Sequence, residues 1–561
     1  MMKKTLIASC IALLALAVAT PSSAQQDTAA DVQQLRMTLL TLIRTLLDQN
    51  LLTVPKAQEM LRQAGIDPAL LQASSPPAPA APAWGSPPVT AAAPPVVRVP
   101  YVPEAVKREL REEIRQEVLA TARAERWAVP ESLPTWLSRF NFNADVRLRL
   151  QRDDFADDNV LPATLDSFYQ LLGSNGQPTT ANTTESRDRL RVRARLGVTG
   201  RVSDDVQAGL RIVTSKGGDA NDPASENVDA GQSSRRYGLA LDQAWIGWGL
   251  GPYSASGGRI ANPYQTSDLL WSNDLTLDGV TASWRPTFGY EWTAFATLGW
   301  HPLHEINNSL QNRSSDSWLL GAQAGLQWRP GTGWNARAGL GLFDFRHIEG
   351  RLNPPGAGDG TSTDYNDSAP QVRTRGNTMF NITAQSNPNA APLWGIASKF
   401  RVVDLNASLD YTTPELWRFG LQGDVLNNIG WDGDEIAQRI GAAAAGLPGD
   451  KSCGDGIARL GCRSTRGYRV ELSAGRGLVD DEGSWTVSAG VRHLERDAVP
   501  DGFTTGDYRL GGTDVKAGFV GASYTLARNT QFSVRYVNAQ GIDSPVPFRV
   551  NTLTFDLLSR F

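Results

Sequence analysis

The residues of this 561-residue chain that could do chemistry are arginines at alternate positions. Arg147 and Arg149 sit two apart. Arg191, Arg193 and Arg195 repeat the interval, and Arg211 follows. Arg337, Arg418, Arg469, Arg492 and Arg535 recur later in the same setting, as do the acids Asp145, Asp404, Asp410, Asp424 and Glu471. Successive strand residues point to opposite faces, so every second position shares a face. Phe140, Phe142, Ala144, Val146, Leu148 and Leu150 therefore oppose Asn141, Asn143, Asp145, Arg147 and Arg149. One face is apolar and the other is wet and charged. Charges so arranged either form a basic ladder facing acids across an aqueous space, with a mild preference for anions, or pair with neighbouring strands and simply keep that space wet.

Other chemistry-bearing groups point less far. His301 and His304 form an H-x-x-H without a placed third ligand, which does not make a metal site. Asp219, Asn221, Asp222, Glu226 and Asp229, and separately Asp432, Asp434 and Glu435, fit no EF-hand spacing and read as solvated acidic loops. There is no G-x-S-x-G, and no serine or aspartate nucleophile is set beside a histidine, so the expectation is no enzyme, no cofactor and no catalytic residue. Cys453 and Cys462 flank eight residues and read as a disulfide closing a surface loop in an oxidising compartment. The segment Asn262 to Asn273 carries Tyr264, Leu269, Leu270 and Trp271 with Asp268 as its only charge. That is too apolar for an exposed loop. It either folds inward as a constriction or rests on a neighbouring subunit.

The elements that position these groups follow from the pattern along the chain. Residues 1–24 have Lys3 and Lys4, one apolar run and a small-residue end, and read as a secretory signal peptide. Residues 25–72 are helical and coiled-coil-like, with Leu35, Leu39, Leu42 and Leu46 at 4-3-4 spacing. Residues 73–103 form a Pro/Ala-rich linker containing ten prolines, and 104–130 an amphipathic helix. No later run is long and apolar enough for a helical membrane span. A net charge of −4 gives no reason to expect a nucleic-acid partner.

From 136 to 561 the alternation continues, with aromatics near both strand ends: Trp292 and Trp300, Trp318 and Trp328, Trp334 with Phe343 and Phe345. Long connections alternate with tight turns. The expectation is an all-β transmembrane antiparallel barrel of about sixteen strands, or eighteen if 370–397 adds a pair; a strand near 258–262 is the fifth. The chain ends in Leu553, Phe555, Leu557 and Phe561 on one face, which looks like a barrel-assembly signal.

Two stretches resemble the bacterial putative-porin family. One is Gly258-Arg259-Ile260-Ala261-Asn262-Pro263-Tyr264, with Asp268-Leu269-Leu270-Trp271 and Leu277-Asp278-Gly279-Val280. The other is Leu494-Glu495-Arg496-Asp497-Ala498-Val499-Pro500, with Gly506-Asp507-Tyr508 and Gly511-Gly512-Thr513-Asp514. The resemblance spans roughly Trp136 to Phe561 and implies an outer-membrane β-barrel channel for small hydrophilic solutes, with no particular substrate. A channel specific for an anion or oligosaccharide, or a plugged barrel with an adhesin or structural role, are the alternatives. Expected partners are outer-membrane lipid, the barrel assembly machinery and the solutes. The N-terminal helices lie in the periplasm, where they either trimerise the barrel or reach the cell wall.

Overall fold

A computed structural model describes residues 139–171, 179–216, 225–305, 315–351, 374–382, 394–440 and 463–561. The strands are β1 (Phe140–Phe155), β2 (Arg187–Arg201), β3 (Val206–Ser215), β4 (Val228–Asp229), β5 (Gly238–Leu250), β6 (Tyr253–Ala261) and β7 (Thr276–Trp284). There follow β8 (Thr287–Phe288), β9 (Trp292–His304), β10 (Ser317–Trp328), β11 (Trp334–Arg346), β12 (Met379–Asn381), β13 (Trp394–Ile396) and β14 (Phe400–Thr412). Last come β15 (Trp417–Asn428), β16 (Arg466–Arg476), β17 (Trp485–Leu494), β18 (Val515–Ala527), β19 (Thr530–Gly541) and β20 (Arg549–Arg560).

Sixteen of these are long and pair antiparallel with their sequence neighbours. β20 then pairs with β1, from Asp145↔Arg560 to Phe155↔Val550, and the barrel closes. Closure leaves no strand edge exposed. β4 and β8 are two-residue additions, and β12 with β13 forms a separate hairpin, so the region expected to supply strands seventeen and eighteen does not cross the barrel. The expected fifth strand near 258–262 is Tyr253–Ala261, joined to β5 by a two-residue turn. Its start, Tyr253-Ser254-Ala255-Ser256-Gly257, has no large apolar residue after the tyrosine and so carries no visible alternation.

The connections alternate strictly. Long loops 1 to 8 occupy 156–186, 216–237, 262–275, 305–316, 347–399, 429–465, 495–514 and 542–548, and short turns join the other rim, where β1 begins and β20 ends. Loop 1 holds helix α1 (Pro162–Tyr169), started by proline at its first turn. Loop 6 opens with helix α2 (Gly433–Ile440), whose N-terminus is capped by Asp432 Oδ1, accepting from the amides of Asp434 and Glu435. Asp432, Asp434 and Glu435 are thus a helix start, with Glu435 paired to Lys399 and Arg439.

The alternation sorts as expected between two faces. Leu148, Leu210, Ile246, Leu298, Leu340 and Leu472 stand exposed on the outside, while the opposite positions are polar. Trp292, Trp300 and Trp334 lie on this outer face, but Phe343 and Phe345 do not. Both are buried and pack with loop side chains inside the barrel, because Phe343 faces the register partner Gly321 rather than the apolar series. The buried apolar cluster accordingly forms among the long loops and the inner wall beneath them, with Trp271, Phe343, Phe345, Phe503 and Tyr508 among its members.

Candidate functional site

Loop 3 does not extend outward. It runs across the inside of the barrel, and several of its polar groups are held by different parts of the wall. Tyr264, Leu269, Leu270 and Trp271 are all buried. The Tyr264 ring stacks on Trp271 at 6.3 Å and meets the edge of Phe343 at 5.0 Å. Its hydroxyl lies over Gly299 and Gly321, where any Cβ would overlap it. His301 Nδ1 donates to the Asp278 carbonyl at 2.9 Å, so its Nε2 is the acceptor for the Tyr264 hydroxyl at 3.0 Å. His301 is therefore committed to loop 3, and both it and His304 lie on β9 rather than in a loop.

The next residues reach further round. Gln265 N–H donates to Gln323 Oε1 at 2.8 Å, and its carbonyl accepts from Asn406 Nδ2 at 2.9 Å. Ser267 donates through N–H and hydroxyl to Asp424 Oδ2 at 3.2 and 2.6 Å. Asp424 and Asp404 are both buried, and Asn406 Nδ2 also donates to Asp404 Oδ2 at 2.9 Å. Asp268 pairs with Arg469 at 2.6 Å and lies 3.6 Å from Arg535. Asp274, at the loop's return, binds Arg195 at 2.9 Å and Arg193 at 3.1 Å. The loop thus touches β9, β10, β14, β15, β16, β19 and β2 in turn. Beneath it β6 and β7 meet at Gly258 and Gly279, register partners with φ of 118° and 128°. A Cβ at either would strike the carbonyl of Ala244 or Trp300, so glycine is required at both.

Loop 7 folds in beside it. The Phe503 carbonyl accepts from Ser272 N–H at 2.8 Å, and its ring stacks on Phe345 at 6.1 Å. Tyr508 donates its hydroxyl to Asp268 Oδ2 at 3.0 Å, with Arg492 4.5 Å and Arg535 5.0 Å from its ring. Asp507 pairs with Arg149 at 2.9 Å and Arg535 at 3.4 Å. Burial works to raise this carboxyl, but Arg149, Arg535 and Arg147 outweigh it and hold it well below the usual carboxylate range.

The opposite wall explains why the loops must come inside. Register sets Arg147 against Arg193 and Arg149 against Arg191, like charges directly opposed across β1 and β2. Such pairs repel unless acids bridge them. Asp145 takes Arg193 at 2.9 Å, Asp556 takes Arg149 at 2.7 Å and Asp229 takes Arg191 at 3.0 Å. Glu226 of loop 2 takes Arg195 at 2.5 Å and lies 3.6 Å from Arg211, which also binds Asp242. Between this wall and loops 3 and 7 remains a polar cavity of about 250 Å³, bordered by Arg147, Arg149, Arg189, Arg191, Lys216 and Arg535 against Asp268, Asp274 and Asp507.

The sequence-derived candidates thus divide. Arg147, Arg149, Arg191, Arg193, Arg195, Arg211 and Asp145 gather on one wall, and Arg469, Glu471, Arg492 and Arg535 on another, with Asp268 among them. Arg337 and Arg418 lie apart: Arg337 is over Phe295 at 4.8 Å, and Arg418 Nη2 donates to Thr486 Oγ1 at 3.0 Å. Asp410 accepts from Asn335 at 3.3 Å. Phe555 and Leu557 are exposed on β20 and Phe561 directly follows the strand, its N–H bonded to the Ala144 carbonyl. Cys453, Cys462, Asp219, Asn221 and Asp222 lie outside the described residues. Sequence reasoning missed loop 7 as a lumenal element. The signal was Ala498, Val499 and Phe503 in a connection with no lysine.

A family model described as "Putative porin" matches residues 36–561. No curated protein matches the sequence. Similar solved structures include the outer membrane channel DcaP of Acinetobacter baumannii, at 9% identity and a TM-score of 0.38, covering 75% of this chain and 97% of that one. Pseudomonas putida OprB is another, at 10% identity and a TM-score of 0.40, covering 75% of this chain and 94% of that one. Salmonella typhi OmpF is a third, at 10% identity and a TM-score of 0.37, covering 75% and 97%.

Proposed function

The chain belongs to the putative porin family, and on that footing we propose that it forms a water-filled outer-membrane channel for passive diffusion of small hydrophilic solutes, mildly selective for anions through inward-facing arginines. The observation that carries this reading is the polar cavity left between loops 3 and 7 and the arginines of β1 and β2. A barrel meant only to anchor loops has no need of a charged, water-accommodating gap inside it. Loop 3 with Tyr264, Asp268 and Trp271 acts as the constriction, and transport needs no catalytic group and no cofactor.

The same reading assigns the short-turn rim to the periplasm, as in bacterial barrels generally. The signal peptide, residues 1–24, is removed on export. The helical segment 25–72, the linker 73–103 and the helix 104–130 then hang on the periplasmic side, where they trimerise the barrel or contact the cell wall. Leu553, Phe555, Leu557 and Phe561 present the assembly signal, and Cys453 with Cys462 closes loop 6 as a disulfide.

Planar-bilayer recording of refolded protein under a salt gradient tests the channel. Stable conductance steps with a reversal potential on the anion side are expected, and silence from correctly folded barrels would favour a plugged or structural role. A substrate-specific channel is the second reading, favoured by the Arg492 and Arg535 guanidiniums stacked on Tyr508 beside the cavity. Conductance that saturates with one anion or oligosaccharide, and not with others, would select it.

A further inference from the structure

The wall arginines form two groups that differ in what neutralises them. Around loops 3 and 7 most are ion-paired: Arg149 with Asp507 and Asp556, Arg193 and Arg195 with Asp274, Arg469 with Asp268, while Arg492 is buried against the Tyr508 ring. Nearer the short-turn rim the pattern changes. Arg285 directly follows β7, Arg329 directly follows β10, and Arg337 lies on β11. None of the three makes an ion pair among the described residues. Arg337 lies over the Phe295 ring at 4.8 Å, and the charged groups acting on it are Arg285 and Arg329, both of its own sign. Arg329 Nε donates to the neutral Asn335 at 3.1 Å. The nearby acids Asp410 and Glu291 accept from neutral donors, Asn335 at 3.3 Å and the Trp328 indole at 3.2 Å, and neither forms an ion pair with the three arginines. Arg285 and Arg329 are exposed and Arg337 is half-buried, so water and dissolved ions reach all three.

Charges paired within a few ångströms project little field, whereas three charges of one sign without an ion-pair partner at a mouth raise the local concentration of counter-ions. We propose that Arg285, Arg329 and Arg337 form an anion-collecting site at the short-turn mouth, and that the charge selectivity of the channel is set there rather than at the passage between loops 3 and 7. The ligands are small inorganic or organic anions, held transiently and without dehydration. The inference rests on the channel reading above and gives it a location. Fixed charge at one mouth also makes ion supply unequal from the two sides. The current therefore rectifies in dilute salt, where the screening length is about 30 Å at 0.01 M, and becomes ohmic at 1 M, where it is about 3 Å.

The test compares full-length wild type with R285Q/R329Q/R337Q in planar bilayers under a potassium chloride gradient, alongside R346Q, which removes an arginine that is ion-paired with Asp344 and lies outside the cavity lining. The triple variant should conduct like wild type at 1 M salt, which establishes that its barrel is folded and open. Its chloride-to-potassium permeability ratio should fall by about twofold or more toward unity and its low-salt rectification should vanish, while R346Q retains both. A triple variant that conducts at 1 M and keeps the wild-type ratio and rectification overturns the site, as would a conducting wild type without anion preference. Folded wild type that never conducts sinks the channel reading itself, a separate result.

Discussion

At the residue scale, the Tyr264 hydroxyl is held by shape as much as by bonding. It occupies a slot made by two glycines on adjacent strands, and His301 Nε2 accepts its hydrogen bond because the other ring nitrogen is committed to the Asp278 carbonyl. The two contributions are separable. Y264F keeps the ring in the slot and loses one neutral hydrogen bond, worth about 1 kcal/mol. G321A puts a methyl where the hydroxyl lies, and overpacking of a tight site costs about 1–3 kcal/mol or expels the intruding group. G321A should therefore lower the unfolding midpoint more than Y264F and raise single-channel noise and mean conductance as loop 3 loosens, while Y264F conducts like wild type. Equal behaviour of the two variants would mean that the glycine slot does not position the loop. This slot was not readable from the chain. Gly299 and Gly321 are two of 53 glycines, and only register makes them neighbours under one side chain.

At the element scale, strand identity was legible and strand neighbours were not. Alternating faces and alternating connection lengths are local properties, so the sixteen crossings and the two rims follow from pattern alone, apart from β6, whose small residues hide its period. Loop 3 announced itself by being too apolar for water. Loop 7 was harder, because its apolar and acidic residues become partners only when β17 and β18 are brought beside β1, β16 and β19. Its tether gives a pH prediction with a definite sign. The Asp507 carboxyl is held well below its ordinary value by Arg149, Arg535 and Arg147 against the cost of burial, so the tether is fully present above the unfolded carboxylate's pKa of about 4 and is lost as pH falls below it. Conductance should be level from about pH 5 to 9 and change only below about pH 4, with D507N already showing the acid-type conductance at neutral pH. A wild-type transition near pH 6 to 7 would point to a histidine instead and overturn the assignment.

At the scale of the whole molecule, the barrel is inverted relative to a soluble protein. Many of its large apolar residues face outward, its wall is largely polar inside, and its buried apolar clusters join the long loops to the inner wall. The stability of the barrel and the width of its passage therefore depend on different solvents. Lipid sets the first, water and loop packing the second. An arginine introduced on the outer face has no aqueous route and costs about 2–4 kcal/mol at the bilayer midplane, whereas a lumenal arginine remains solvated. L340R, at the middle of β11 and 56% exposed on the lipid side, should lower the unfolding free energy in vesicles by about that amount and leave the open-channel current of surviving barrels unchanged. S488R, half-buried on the inner wall of β17, should do the reverse: stability within about 1 kcal/mol of wild type and a shifted reversal potential. If L340R were the tolerated substitution and S488R the costly one, the apolar face would be covered by something other than lipid, and a second copy of the chain packed against that wall would become the first explanation to examine.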